Sequence, residues 1–586
     1  MEITVLQLAL LTLLAFVAIV DTVGTKIFLG SLALTSSLIV GIIFGNIPVA
    51  VVTGAAIQIM FIAAIPIGGA SPPDQTSASI VGSTMAELLY DGSPLLTYYL
   101  GTVLIYVIPF AIVVSVIGVQ LEIIARTANV YWIHRAEKII ERGETKGIGT
   151  SHLLGFIPWG LSRAVLCPIA IVLGFPALQL AKSLAESVNV VTAPIKGLTS
   201  ASILGGLLVA GSILPAVGLA VILSILPFGR MRKFFALGFA ICWSMVVLSG
   251  LVASSTVLSL ILGLLNPVLV ATGIGFVAAY IMVRRKYERE ATGEKSEKVQ
   301  AVEFKNFGKK DLSSSFRRYF ITFEASWNYE RMQGLGYLYS ILPILKKTHK
   351  DKEDLKNAMK MHMEFFNTNP FIAPWIIGMN AKLEDEHASP ETIRSIKVGY
   401  MGPLAGIGDS LIYFVIGGLA ILVGTGIAFN INDLGNPLGA IIIWVTFVPM
   451  GIILRFWFWR IGLKGGVNAA KQMGQSKGLR RIMELTGATG ITTIGAFIPI
   501  AVQVGLPVAS LVQPYVPTNP MVTIVNAISL LVVPLVLTLL AYSLARRGYS
   551  VVKMILILFL VGFVTGVLGL LVRPIYSGLS GPKPGP

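Results

Sequence analysis

Three polar clusters stand in otherwise apolar sequence, and each carries side chains suited to a hydroxyl-rich ligand. The first runs from Gly54-Ala-Ala-Ile-Gln58 through Gly68-Gly-Ala-Ser-Pro-Pro-Asp74-Gln75-Thr-Ser. Gln58 interrupts an apolar run, and Asp74 follows paired prolines and precedes Gln75, Thr76 and Ser77. A carboxylate beside amides can bind adjacent hydroxyls, and glycines admit close backbone approach, which is the lining a sugar needs. The same Asp74 also fits the N-cap of a helix over 77–90.

The second cluster is Gly402-Pro-Leu-Ala-Gly406-Ile-Gly408-Asp409-Ser410. It lacks the Gly-Lys-Ser/Thr ending of a phosphate-binding P-loop. Glycines that let membrane helices pack closely explain it better. Asp409, just before an apolar span, fits a ligand group, an N-cap or a cation's partner. The third is Glu324, Trp327, Glu330 and Arg331, with Phe365, Asn367 and Asn369. Aromatic rings beside amides suit a sugar's apolar face and hydroxyl rim. An amphipathic helix with internal ion pairs accounts for the same residues, since Glu324, Asn328 and Arg331 fall at i, i+4 and i+7. Further on, His362, Phe366 and Asn369 are expected to share a helix face that ends at Pro370.

Other chemistry is thinly represented. His134, His152, His349, His362 and His387 stand beside no evident acid partner and are expected as surface or packing residues. Cys167 and Cys242 sit in apolar surroundings and read as packing. No nucleophile–base set and no Cys/His zinc spacing is visible, so neither a catalytic residue, a cofactor nor a metal is expected.

The elements that must position these clusters are membrane helices. Hydrophobic residues make up 55% of the 586 residues, charged ones 13%, and the mean hydropathy is +0.80. A soluble globule of this size could not hide so much apolar surface, and disorder is excluded by the same figures. Apolar runs fall near 3–20, 28–45, 48–70, 95–118, 154–178, 203–228 and 234–283, the last long enough for two spans of roughly 20 residues. Others fall near 401–428, 438–459, 488–513, 521–543 and 553–573. Glu2 stands where a signal peptide would carry a cation, so the first run reads as a retained span. Ile65-Pro66-Ile67-Gly68-Gly69 and Ile498-Pro499-Ile500 read as broken helices near a transport path or as proline kinks. The formal charge of +16 borders the spans and marks cytoplasmic loops against anionic lipid rather than a nucleic-acid surface.

The expected fold is therefore an all-α polytopic membrane protein. It divides into a first unit over 1–283, a polar cytoplasmic linker over 284–315, an amphipathic helical region over 316–400, a membrane-spanning region over 401–575 and a tail over 576–586.

Two stretches carry a family resemblance. Residues 1 to about 270, with GAAIQIMFIAAIPIGGASPPDQTSASI at 54–80, resemble the IIC membrane component of the mannose/fructose/sorbose-type sugar phosphotransferase system. Residues from about 303 to 575 resemble its IID component, through FEASWNYERMQGLGYLYSILPIL at 323–345, HMEFFNTNPFIAPWIIGMNAKLEDE at 362–386 and IKVGYMGPLAGIGDS at 396–410. The resemblance implies two helical units of related fold and inverted topology, with re-entrant or broken helices, in an inner-membrane permease that forms homotrimers. It implies elevator-type sugar translocation, with phosphorylation by a cytoplasmic IIB protein charged through IIA. It also implies a surface that bacteriocins or phages can exploit as a receptor. Mannose-specific members typically carry Glu at Gln58, Trp and Asn at Ala64 and Pro66, and Pro at Ser410, so an amino sugar, sorbose or fructose fits as well as mannose. The candidate substrate-binding residues are Gln58, Asp74, Gln75, Asp409, Asn369, Glu324 and Trp327. The rival expectations are a transporter uncoupled from phosphotransfer and a membrane receptor or scaffold.

Overall fold

The computed structural model describes residues 3–27, 30–62, 72–191, 228–251, 267–288, 304–430, 433–475, 477–501, 520–549 and 551–567, with single positions between 213 and 223. Among the described residues the chain is helical, with isolated β-bridges joining Met332 to Asn328 and Phe366 and no strand. The first unit contains α1 (Val5–Val23), α2 (Ala33–Phe44), α3 (Ile47–Met60), α4 (Gln75–Leu89), α5 (Ile108–Ala128), α6 (Val130–Glu141), α7 (Ile148–Leu153), α8 (Phe156–Val191), α9 (Phe228–Leu251) and α10 (Pro267–Glu288). The second contains α11 (Lys309–Thr322), α12 (Gly334–Thr348), α13 (Lys352–Met363), α14 (Ala373–Asp385), α15 (Pro390–Gly408), α16 (Gly418–Ala428), α17 (Leu438–Gln475), α18 (Lys477–Ala501), α19 (Pro520–Arg546) and α20 (Val551–Val567).

Among the described residues, four helices are long and apolar enough to cross a membrane, over Val5–Val23, Thr102–Glu141, Ile148–Ser183 and Leu438–Lys464. Shorter apolar helices include α2, α3 and α16. The run at 234–283 contains most of α9 and α10, and residues 252–266 between them lie outside the described residues. The break at 65–69 lies outside the described residues, whereas Pro499 sits within α18.

The two units are packed into each other. A Cβ on Gly238 of α9 would lie 1.8 Å from the Thr492 carbonyl of α18, and one on Gly495 would lie 2.2 Å from the Phe235 carbonyl. Bare backbone thus meets bare backbone, the close approach that small residues permit between membrane helices. Within the second unit Gly462 of α17 meets the Trp375 carbonyl of α14 in the same way.

Each unit also holds one long helix interrupted by a nine-residue π-helical segment, Tyr99–Val107 leading into α5 and Asp409–Gly417 between α15 and α16. Such segments shift the side-chain phase and recur at functional sites. The second begins at Asp409, which rules out an N-cap role there, because the helix runs without a break from 390 to 428.

Candidate functional site

A cavity of about 150 Å³ opens where the units meet. At roughly 30 Å³ of liquid volume per water, the space holds about five waters. Asp74 and Gln75 line it from the first unit, and Glu324, Trp327 and Asp409 from the second. Gln58 and Asn369 stand one layer behind. Gln58 is fully buried, accepts from the Leu34 amide at 3.1 Å and donates to Gln75 Oε1 at 3.1 Å. Asn369 donates to Asp409 Oδ1 at 2.8 Å and accepts from the Phe371 amide at 2.9 Å. All seven candidate residues therefore gather at one place, five on the cavity wall and two as supporting amides.

Asp74 is more heavily engaged than a free ligand carboxylate. Its Oδ1 accepts from the Ser77 amide at 3.1 Å, capping α4, and its Oδ2 pairs with Arg163 Nε at 2.9 Å. Arg163 also reaches Glu122 at 2.8 Å, and Glu122 reaches Arg126 at 2.5 Å. The resulting chain of alternating charge is buried within α4, α5 and α8. Arg126 then lies 4.4 Å over the Trp327 ring, a cation–π contact between the units. Glu324 accepts from Gln333 at 2.7 Å and pairs with Lys26 at 2.6 Å. Among the described contacts, Asp409 takes an amide but no cation, which leaves it the most available carboxylate on the wall.

Sequence reasoning missed Lys26, Glu122, Arg126, Arg163 and Gln333. Glu122, Arg126 and Arg163 carried a usable signal, since ionisable groups inside apolar spans are costly unless paired or functional. Three expectations are corrected. Residues 323–333 form a turn-rich loop, not a helix. Asn328 Oδ1 accepts from the amides of Glu330 and Arg331, which closes the loop locally instead of a helix face. Likewise α13 ends at Met363, so Phe366 and Asn369 lie beyond the face that holds His362. Three of the five histidines do find acid partners: His134 meets Glu330 at 3.0 Å, and His349 and His362 both meet Glu384 at 2.7 Å. These acids are distant in sequence, which hid them.

The Glu384 cluster lies away from the cavity and outside the candidate spans. Burial works to raise the pKa of Glu384, but the two histidine hydrogen bonds bring it down to about 2. The hydrogen bond to Glu384 raises His349, while burial lowers His362. Nearby, burial lowers Lys397 to about 7, and its ammonium donates to the carbonyls of Met361, His362 and Glu364.

A helical, multi-pass membrane protein with a cavity that charged, amide and aromatic side chains line from both units has an architecture suited to a membrane permease. The description "PTS system sorbose-specific iic component" matches residues 5–281, and "PTS system mannose/fructose/sorbose family IID component" matches 306–571. The mannose-specific EIID component of Escherichia coli K12 is 30% identical over 285 residues, covering 46% of this chain and 99% of that protein. The mannose-specific EIIC component of the same strain is 27% identical over 239 residues, covering 41% of this chain and 80% of that protein. A cryo-EM structure of the mannose transporter ManYZ with microcin E492 matches at 29% identity and a TM-score of 0.27, covering 46% of this chain and 100% of the matched one. The chain belongs to the mannose/fructose/sorbose family of phosphotransferase-system permeases, and joins a IIC and a IID component in one plasma-membrane polypeptide.

Proposed function

We propose that this fused permease translocates a hexose or related sugar through the cavity between its units, with phosphorylation by a separate IIB protein trapping the sugar inside. The observation that carries the reading is the convergence of Gln75 and Asp74 from the IIC part with Asp409, Glu324 and Trp327 from the IID part on one space. Gln75 and Asp409 supply hydroxyl partners, and Trp327 offers an apolar face. Asp74 lines the wall beside them, its Oδ1 capping α4 and its Oδ2 paired with Arg163. On this reading the units divide within 284–315, 316–400 positions the IID wall and 401–575 completes the second unit; the tail expected over 576–586 lies outside the described residues. Inverted topology, elevator motion, a homotrimer, a IIA/IIB relay and a receptor surface for bacteriocins or phages belong to the same reading.

The test uses membrane vesicles and radiolabelled mannose, fructose and sorbose, with and without phosphorylated IIB. Phosphosugar that appears only with IIB supports the proposal. Accumulation of unmodified sugar favours uncoupled transport, and partner binding without sugar flux favours a receptor.

A further inference from the structure

Lys26 is placed with unusual care. It is a non-glycine residue at φ +50°, a left-handed backbone that side chains rarely adopt. The turn around it is over-determined. Asp21 Oδ1 accepts from the Ile27 amide at 3.0 Å and the Thr25 hydroxyl at 2.5 Å, Asp21 Oδ2 accepts from Ser31 at 3.2 Å, and the Lys26 amide donates to the Asp21 carbonyl at 2.7 Å. Arg455, from α17 of the second unit, donates to the Thr25 carbonyl at 2.5 Å. The outcome is a buried ammonium on the cavity wall, 2.6 Å from Glu324 of the opposite unit.

A tie between units would not need this. The glycine contacts of α9 with α18 and the stacking of Arg126 on Trp327 already hold them together. Strain held by surrounding contacts at a cavity is an observation that points to function. An ammonium carries three donors, so Lys26 can keep Glu324 and also meet a ligand hydroxyl.

We propose that Lys26 is a substrate-contacting, specificity-determining residue: with Glu324 it grips sugar hydroxyls across the boundary between units, so that both units close on one sugar. The inference rests on the cavity being the sugar site. Its test is the exchange of the two charges, Lys26→Glu with Glu324→Lys, beside Lys26→Arg, Gln75→Ala and Asp409→Ala. Vesicles with phosphorylated IIB report KM for radiolabelled mannose, fructose or sorbose, whichever the unaltered permease takes up, and thermal unfolding in detergent reports integrity.

The exchange is expected to recover the unfolding midpoint while KM stays raised at least about tenfold, the scale of one lost charged hydrogen bond. Exchange that restores both values overturns the inference, because a plain tie does not care which side holds the cation. If the exchanged protein does not fold, Lys26→Arg decides. It keeps the charge but replaces a compact ammonium with a planar fork. Raised KM at an unchanged midpoint supports the inference, and unchanged KM overturns it. If Gln75→Ala and Asp409→Ala also leave KM unchanged, the cavity reading itself fails. If they raise it and the Lys26 variants do not, only this inference fails.

Discussion

Adding one methyl group at Gly118 should damage the permease without touching the sugar. An added Cβ there would lie 2.2 Å from Asp74 Oδ2, 2.7 Å from its Cβ and 2.8 Å from its Cγ. Asp74 cannot simply step aside, because it caps α4 through Ser77 and pairs with Arg163. Relieving the clash means losing the cap, about 1 kcal/mol, and straining a packed interior, typically 1–3 kcal/mol. The expected cost of Gly118→Ala is therefore roughly 2–4 kcal/mol. Gly118 is not on the cavity wall, so a rise in KM would have to pass through Asp74. The assay pairs thermal unfolding in detergent with sugar uptake in vesicles. Gly399→Ala on α15 is the control, since an added Cβ there meets no heavy atom within 4 Å. Gly118→Ala with the stability and uptake of the unaltered protein would refute the reasoning about Asp74.

Three further perturbations probe other contacts. Gly408→Ala would bring a Cβ to 2.4 Å from Asn369, so it should displace the amide that supports Asp409 and raise KM several-fold, read by uptake kinetics. Arg163→Met leaves Asp74 and Glu122 buried without their shared cation, so it should destabilise by about 3–5 kcal/mol, measured by thermal unfolding. The pKa of Glu384, about 2 when folded against 4.5 normally, gives stability that is present above 4.5 and lost as pH falls toward 2. His349 is raised, so its contribution is present below 6.5 and fades as pH climbs through its folded value. Unfolding midpoints between about pH 3 and 8 should therefore show a shallower acid limb for Glu384→Gln than for the unaltered protein.

Much of the membrane architecture was legible, because long apolar runs have few other uses. The pair Asp74 and Gln75 was legible too, since a polar cluster after paired prolines interrupts that pattern. Two things were hidden for physical reasons. Asn328 closes a local turn with its own side chain, which defeats the helical spacing of Glu324 and Arg331. Pairings such as Lys26 with Glu324 and His349 with Glu384 join residues far apart in the chain, and periodicity carries no information about them. The double duty of Asp74 was half visible: its capping role followed from the helix after it, but its ion pair with Arg163 depends on how α8 crosses α4.

Whether one sugar lies between the two units can be seen in a cryo-EM map of the permease in lipid nanodiscs with saturating sugar. Hexose-sized density is expected between Gln75 and Asp409, against Trp327 and within reach of Lys26. Sugar density held by one unit alone, with this cavity filled only by water, would contradict it.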